Sequence, residues 1–210
     1  MSMGDIHKHL RIFVNLKKLS PSPARRIPPS HPLHNTIIFT NRSCLLNGNT
    51  RAQAGIGVWF GPNNPRNKAT PVGKNISQSN NTGELLTIHK ALTLTPNTNC
   101  LHIKTDSQWA IKTLCNDLEY LTNSDFANLA HANLIWPIVN ALRRQMGCTT
   151  FKWVKGHSGI FGNAEADKLA REGTSLDNLR KVLFISQPEF SYVGAKLCAL
   201  TQATAYRLIL

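Results

Sequence analysis

Between Asn35 and Gly173 the chain alternates β-branched runs with helix-prone stretches in an order that few architectures accept. Residues 35–40 (NTIIFT) form a first extended run, followed by the turn-rich Asn47-Gly48-Asn49. Residues 54–60 (AGIGVWF) form a second, with glycines where close backbone approach is expected, and Gly61-Pro62 ends it. A third extended piece around 71–76 completes a meander. Residues 77–82 supply N-cap types before a helix over 84–94. A strand over 101–105 (LHIKT) follows, and Asp106-Ser107 opens a helix over 108–118. Another helix over 134–144 tolerates Pro137 only near its first turn. Residues 149–154 (TTFKWV) are a strand and 156–159 a loop; Asn163 caps a helix over 164–171, which Gly173 stops. The order βββαβααβα predicts an α/β fold with a mixed sheet covered by helices.

The first 33 residues stand apart. Residues 20–30 (SPSPARRIPPS) are a linker by composition, because their prolines exclude helix interiors and sheet centres. Residues 1–33 thus read as a basic Pro/Ser-rich arm, 34–175 as the folded domain and 176–210 as a partly helical extension. Residues 6–19, basic and free of acids, also suit an organelle transit peptide, though an arm with no address function is the plainer expectation. The five cysteines are odd in number and form no C-x-x-C, which argues for thiols in a reducing compartment, nucleus or cytoplasm. No run of about 18 apolar residues predicts a membrane span.

Charge points to polyanions. The formal net charge is +13, spread as +5 over residues 1–33, +6 over 34–175 and +2 over 176–210. A domain whose own middle section is basic is a better nucleic-acid candidate than one with a basic arm alone. The eleven acids are few enough to weigh singly. Asp106 ends a strand where a helix begins, the end of an open α/β sheet at which ligands bind. Glu84 is expected in the first turn of its helix and Asp167 one turn into another. Such acids serve the helix dipole, or converge on hard cations.

The neighbouring residues narrow this. Thr105-Asp106-Ser107, Gly156-His157-Ser158-Gly159, residues 162–170 (GNAEADKLA), and Thr82-Gly83-Glu84 after residues 78–81 (QSNN) together resemble the type 1 ribonuclease H family. The resemblance spans about residues 34–175 in the right order. The T-G-E variant, residues 153–159 (WVKGHSG) and residues 195–206 look most like ribonuclease H domains attached to non-LTR retroelement reverse transcriptases. The resemblance implies a five-stranded mixed sheet with helices on both faces. It also implies endonucleolytic cleavage of the RNA strand of RNA–DNA hybrids with two Mg²⁺, or Mn²⁺, held by carboxylates. Glu84, Asp106 and Asp167 match the metal ligands, and His157 matches the histidine that assists proton transfer.

The first motif departs from the family. Where T-D-G-S is expected, the chain has Thr40-Asn41-Arg42-Ser43. Asn41 offers a neutral oxygen at one end and a cation-repelling NH₂ at the other, so four carboxylates become three. No acid lies between Asp5 and Glu84 to replace it. Losing that ligand is expected to cost roughly 10²–10⁴-fold in rate. The chain therefore reads as an impaired nuclease or a catalytically inactive hybrid-binding domain. Arg42, in place of glycine, adds bulk and positive charge.

For the hybrid itself, Asn47, Asn80 and Asn81 match positions that enter the minor groove, and Cys44 and Ser79 match positions at the backbone. Trp109 matches an aromatic position. The family's later tryptophan on the DNA channel is Leu121 here. Lys112, Arg143 and Arg144 are candidate phosphate contacts.

Overall fold

The computed structural model describes residues 34–177, apart from 125, 127, 128 and 130, together with residues 11–12 and 195–196. The arm, the linker and most of the C-terminal extension lie outside the described residues. Residues 11–12 and 195–196 pair antiparallel as a two-residue ladder.

Five strands make the central sheet: β1 (Asn35–Leu45), β2 (Gln53–Trp59), β3 (Lys68–Pro71), β4 (Cys100–Thr105) and β5 (Thr149–Trp153). Their spatial order is β3-β2-β1-β4-β5. The first three are antiparallel neighbours, whereas β4 runs parallel to β1 and β5 parallel to β4. A mixed sheet follows, because short turns join β1 to β3 and helical crossovers lead to β4 and β5. The helices are α1 (Asn80–Thr93), α2 (Gln108–Ile111), α3 (Leu118–Asn123), α4 (Ala132–Arg144) and α5 (Phe161–Ser175). Among the described residues no helix is long and apolar enough to cross a membrane.

Side-chain alternation along the strands divides the sheet into two faces. Ile38, Ile56, Val58, Leu101 and Ile103, all nearly inaccessible, join Leu85 and Ile88 of α1 and Ile135 and Ile138 of α4 in one core. Each such side chain contributes about 1.5–3 kcal/mol by leaving water. The other face presents Gly55 and Gly57, on which α5 rests directly. A Cβ at Gly57 would lie 2.0 Å from the Ala166 carbonyl oxygen, and one at Gly55 2.3 Å from the Thr174 nitrogen. The glycines of the second run are therefore the seat of a helix, as their spacing led one to expect. Thr87 of α1 donates to the Gly57 carbonyl at 3.0 Å, which ties the other face to the same strand.

Several boundaries differ from the sequence expectation, each for a tertiary reason. The first strand runs on past Thr40 to Leu45, because its second half pairs with β2 from Asn41↔Gly57 to Leu45↔Gln53. The third strand covers 68–71, not 71–76. Beyond Pro71 the chain turns inward, and the Gln78 amide holds that turn by donating to the carbonyls of Gly73 and Ile76 at 3.0 and 2.9 Å. The helix expected over 108–118 is broken into α2, a π turn at Lys112–Asn116 and α3. Pro137 lies in the second turn of α4, where it has no N–H to donate to the carbonyl of exposed Asn133. Asn163 is not the cap of α5. Its N–H already bonds the Ile160 carbonyl, because Phe161 stacks edge-on against Trp59 and Gly162 abuts the Phe39 ring, starting the helix earlier. Gly173 lies inside the last turn against the Thr70 backbone rather than ending the helix.

Candidate functional site

The parallel register places Thr40 beside Thr105 and Thr105 beside Trp153. Asn41, within β1, and Asp106, just after β4, consequently lie side by side where the parallel pairing of the two strands ends. The indole N–H of Trp153 donates to the Asp106 carbonyl at 3.1 Å and fixes that corner. Gly156, on the loop after β5, is so close to Asp106 that a Cβ there would lie 2.9 Å from its Oδ2. His157 follows in the left-handed region (φ 53°), fully at the surface and within electrostatic reach of Asp106.

Glu84 and Asp167 complete this corner from the helices. Ser79 caps α1 by accepting from the Thr82 N–H, so the helix begins at Asn80 and Glu84 sits in its second turn. Asp167 lies likewise near the end of the second turn of α5. Glu84 is thus not in the first turn, where the sequence placed it, and Asp167 lies beyond the first turn, as expected; neither has the dipole role that a first-turn acid would have. Glu84 is buried; it accepts a short hydrogen bond from the Ser107 hydroxyl through Oε2. Ser107, the last residue of the Thr105-Asp106-Ser107 motif, is thereby tied to α1. Its hydroxyl also accepts from the Ala110 N–H at 3.1 Å, so one side chain caps α2 and anchors the glutamate.

Arg42 decides the electrostatics. Its Nε lies 3.3 Å from Glu84 Oε1, and its Cβ passes within 2.9 Å of where a Cβ on Gly83 would stand. The glycine of T-G-E thus makes room for the arginine stem. The Asn41 side-chain oxygen accepts from the Arg42 backbone N–H at 2.8 Å. Asp167 pairs with Arg171, one helical turn on, a pairing legible from the i,i+4 spacing. Burial pushes the Asp106 carboxyl above the usual carboxylate range. Arg42, a hydrogen bond from its own backbone and His157 oppose this, and Asp167 adds to it.

These contacts test the donor set against a pair of divalent ions. The Asn41 oxygen is uncharged and engaged, Glu84 faces a guanidinium, and Asp167 is paired. Although Glu84, Asp106 and Asp167 share this corner, among the described residues no group of three His, Cys, Asp or Glu side chains is arranged to hold one metal ion. The residues present do not fit two Mg²⁺ ions.

A second group of candidates lies along the neighbouring edge. The Cys44 thiol lies 3.7 Å from Asn47 Oδ1 and 3.7 Å from the Gln78 carbonyl. The turn after β1 and the start of α1 therefore adjoin, with Cys44, Asn47, Ser79, Asn80 and Asn81 on one edge; Asn47 and Asn81 are exposed. Burial raises the Cys44 thiol, and Arg42 partly offsets it. Gln78, which flanks the motif, is the strut of this edge: it accepts from the Ala54 N–H at 2.9 Å while donating to the turn after β3. Trp109 is half-buried against the core in a T-shaped contact with the His131 ring, and Leu121 is buried. Lys112 is paired with Asp117, and Arg143 donates to Thr122 at 3.3 Å.

The model of the RNase H family matches residues 34–175. The chain belongs to the ribonuclease H family. Ribonuclease H1 of Homo sapiens is 33% identical over 183 residues, covering 81% of this chain and 62% of the human protein. The Schizosaccharomyces pombe ribonuclease H is 35% identical over 144 residues, covering 66% of this chain and 53% of its own length. The chain thus spans a little over half of these relatives. Among solved structures, the foamy viral protease-reverse transcriptase in complex with RNA/DNA hybrid superposes with a TM-score of 0.57 at 18% identity, over 74% of this chain and 22% of that one. These relatives fit the type 1 ribonuclease H placement, and the five-stranded mixed sheet is that of the family fold.

Proposed function

We propose that this ribonuclease H domain binds RNA–DNA hybrids and that its two-metal cleavage of the RNA strand is impaired. One observation carries the reading. At the position of the family's first aspartate stands Asn41, its oxygen engaged by the backbone, while the adjacent Arg42 faces Glu84. Three candidate metal ligands, Glu84, Asp106 and Asp167, remain at this corner, with His157 beside Asp106 as the candidate for proton transfer. Cys44, Asn47, Ser79, Asn80 and Asn81 are the candidate groove and backbone contacts, and their contiguous edge supports that role. Trp109 keeps its candidate role only where its half-exposed ring reaches the strand. The hybrid supplies phosphates for the basic domain and 2′-hydroxyls for the asparagine amides. The T-G-E and W-V-K-G-H-S-G stretches support descent from a retroelement-associated domain.

Two measurements test this. Filter binding of labelled hybrid, double-stranded DNA and double-stranded RNA should show a preference for hybrid that weakens steeply with salt. Equal affinity for hybrid and double-stranded DNA would remove the groove reading of Asn47, Asn80 and Asn81. A cleavage assay of the unmodified chain with Mg²⁺ or Mn²⁺ should yield little product. Vigorous Mg²⁺ cleavage that Asp106→Asn abolishes would establish that three carboxylates suffice.

A further inference from the structure

The chemistry of Arg42 goes beyond the loss of a metal ligand. Its guanidinium lies 3.3 Å from Glu84, and the contact is an ion pair without an aligned hydrogen bond. Its charge also reaches Asp106. The other acid of the corner, Asp167, already has its own arginine. About 30% of the Arg42 side chain is exposed, although its Nε is buried, so the exposed part consists of other atoms of the side chain. A guanidinium carries four further N–H donors beyond Nε, in a planar fork that matches a phosphate.

We propose that Arg42 is a built-in cation that pairs Glu84, offsets part of the Asp106 charge in place of divalent ions, and takes a phosphodiester of the bound nucleic acid. Binding then requires no divalent cation. In a cluster of unpaired carboxylates, an approaching phosphate meets like charge until metal ions arrive. Here the chain itself supplies the positive charge, held between a buried acid and the surface. The inference rests on the reading above that nucleic acid passes over this end of the sheet.

The experiment measures the affinity of the full chain for a labelled RNA–DNA hybrid by anisotropy, in EDTA and in MgCl₂ at equal ionic strength. The native chain should bind within about twofold in the two buffers, since Glu84 and Asp167 already have arginine partners and Arg42 offsets part of the Asp106 charge. MgCl₂ titrated alone into the native chain in a calorimeter should give no saturable binding. Arg42→Gln should weaken hybrid binding by about tenfold. It should also make the plot of log affinity against log salt shallower by about 0.7–0.9, the signature of one lost phosphate contact. Arg42→Lys, which keeps the charge, should retain most of that slope. A tenfold gain of native-chain affinity with Mg²⁺ would overturn the proposal, and so would an unchanged salt slope in a folded Arg42→Gln variant. The Mg²⁺ comparison needs no variant, so it decides the matter even if Arg42→Gln fails to fold. Equal affinity for hybrid and double-stranded DNA would instead count against hybrid specificity alone, leaving the metal and salt results to judge Arg42.

Discussion

The seat of α5 on β2 and the carboxylate corner on β1 and β4 belong to one sheet, yet they are built to different tolerances. At the seat, Gly55 and Gly57 meet helix backbone with no room for a methyl group. At the corner, one ligand position carries an amide and an arginine threads between two acids. The contrast teaches that the requirements of the fold and those of the chemistry are separable. Backbone against backbone admits only glycine, whereas a charged cluster can exchange one cation for another and remain neutral enough to fold.

The largest effect should come from rebuilding the corner. Asn41→Asp with Arg42→Gly should raise Mg²⁺-dependent hybrid cleavage by roughly 10²–10⁴-fold. Asn41→Asp alone should gain less, because Arg42 would pair with the new carboxylate. Single-turnover cleavage of a labelled hybrid measures both, and no gain in the double variant would place the defect elsewhere. At the seat, Gly57→Ala should destabilise by about 3 kcal/mol or more in urea unfolding, since a Cβ 2.0 Å from a carbonyl must displace α5. A cost below about 1 kcal/mol would show that the helix slides, and the contrast in tolerance would vanish.

Two titrating groups, His89 on α1 and Asp106 at the corner, predict opposite pH responses. His89, on the same helix as Glu84, has its pKa lowered to about 4, first by burial and then by Lys90 and Arg144. The unfolded chain therefore takes up a proton near pH 6.5 that the folded chain refuses. The stability tied to neutral His89 is complete above that pH and is lost as pH falls toward 4, by on the order of 2 kcal/mol. His89→Gln should flatten this acid limb of a stability–pH curve; an unaltered limb would acquit His89. Asp106 is the smaller case and has the other sign. Its carboxyl is raised by burial, so its ionisation works against the fold once the pH exceeds the unfolded value. Asp106→Asn should raise the Tm slightly at neutral pH. The gain should fade below about pH 4, where the unfolded carboxyl is itself protonated. A gain that persists at pH 3 would assign it to packing instead of charge.

Most elements were legible because their signals are local. The β-branched runs, the capping Ser79 and the glycines of the second strand each act through neighbouring residues or through steric limits that any tertiary setting obeys. What failed was local evidence standing in for contacts: Asn163 has a capping side chain, but Phe161 on Trp59 starts α5 earlier. The π turn after α2 had no mark in the residue spacing.

The same division runs through the corner. That Asn41 cannot carry charge, and that no acid between Asp5 and Glu84 can take its place, follows from the covalent chain alone. The i,i+4 pairing of Asp167 with Arg171 is likewise written in helical geometry. The partner of Arg42 is another matter. A strand residue and a helix residue 42 positions apart meet only after α1 has packed on the sheet, with Gly83 leaving space for the arginine stem and Ser107 holding the glutamate from the other side. Residue type sets which charges exist; only packing sets the distances over which they act, and Coulomb energy depends on both.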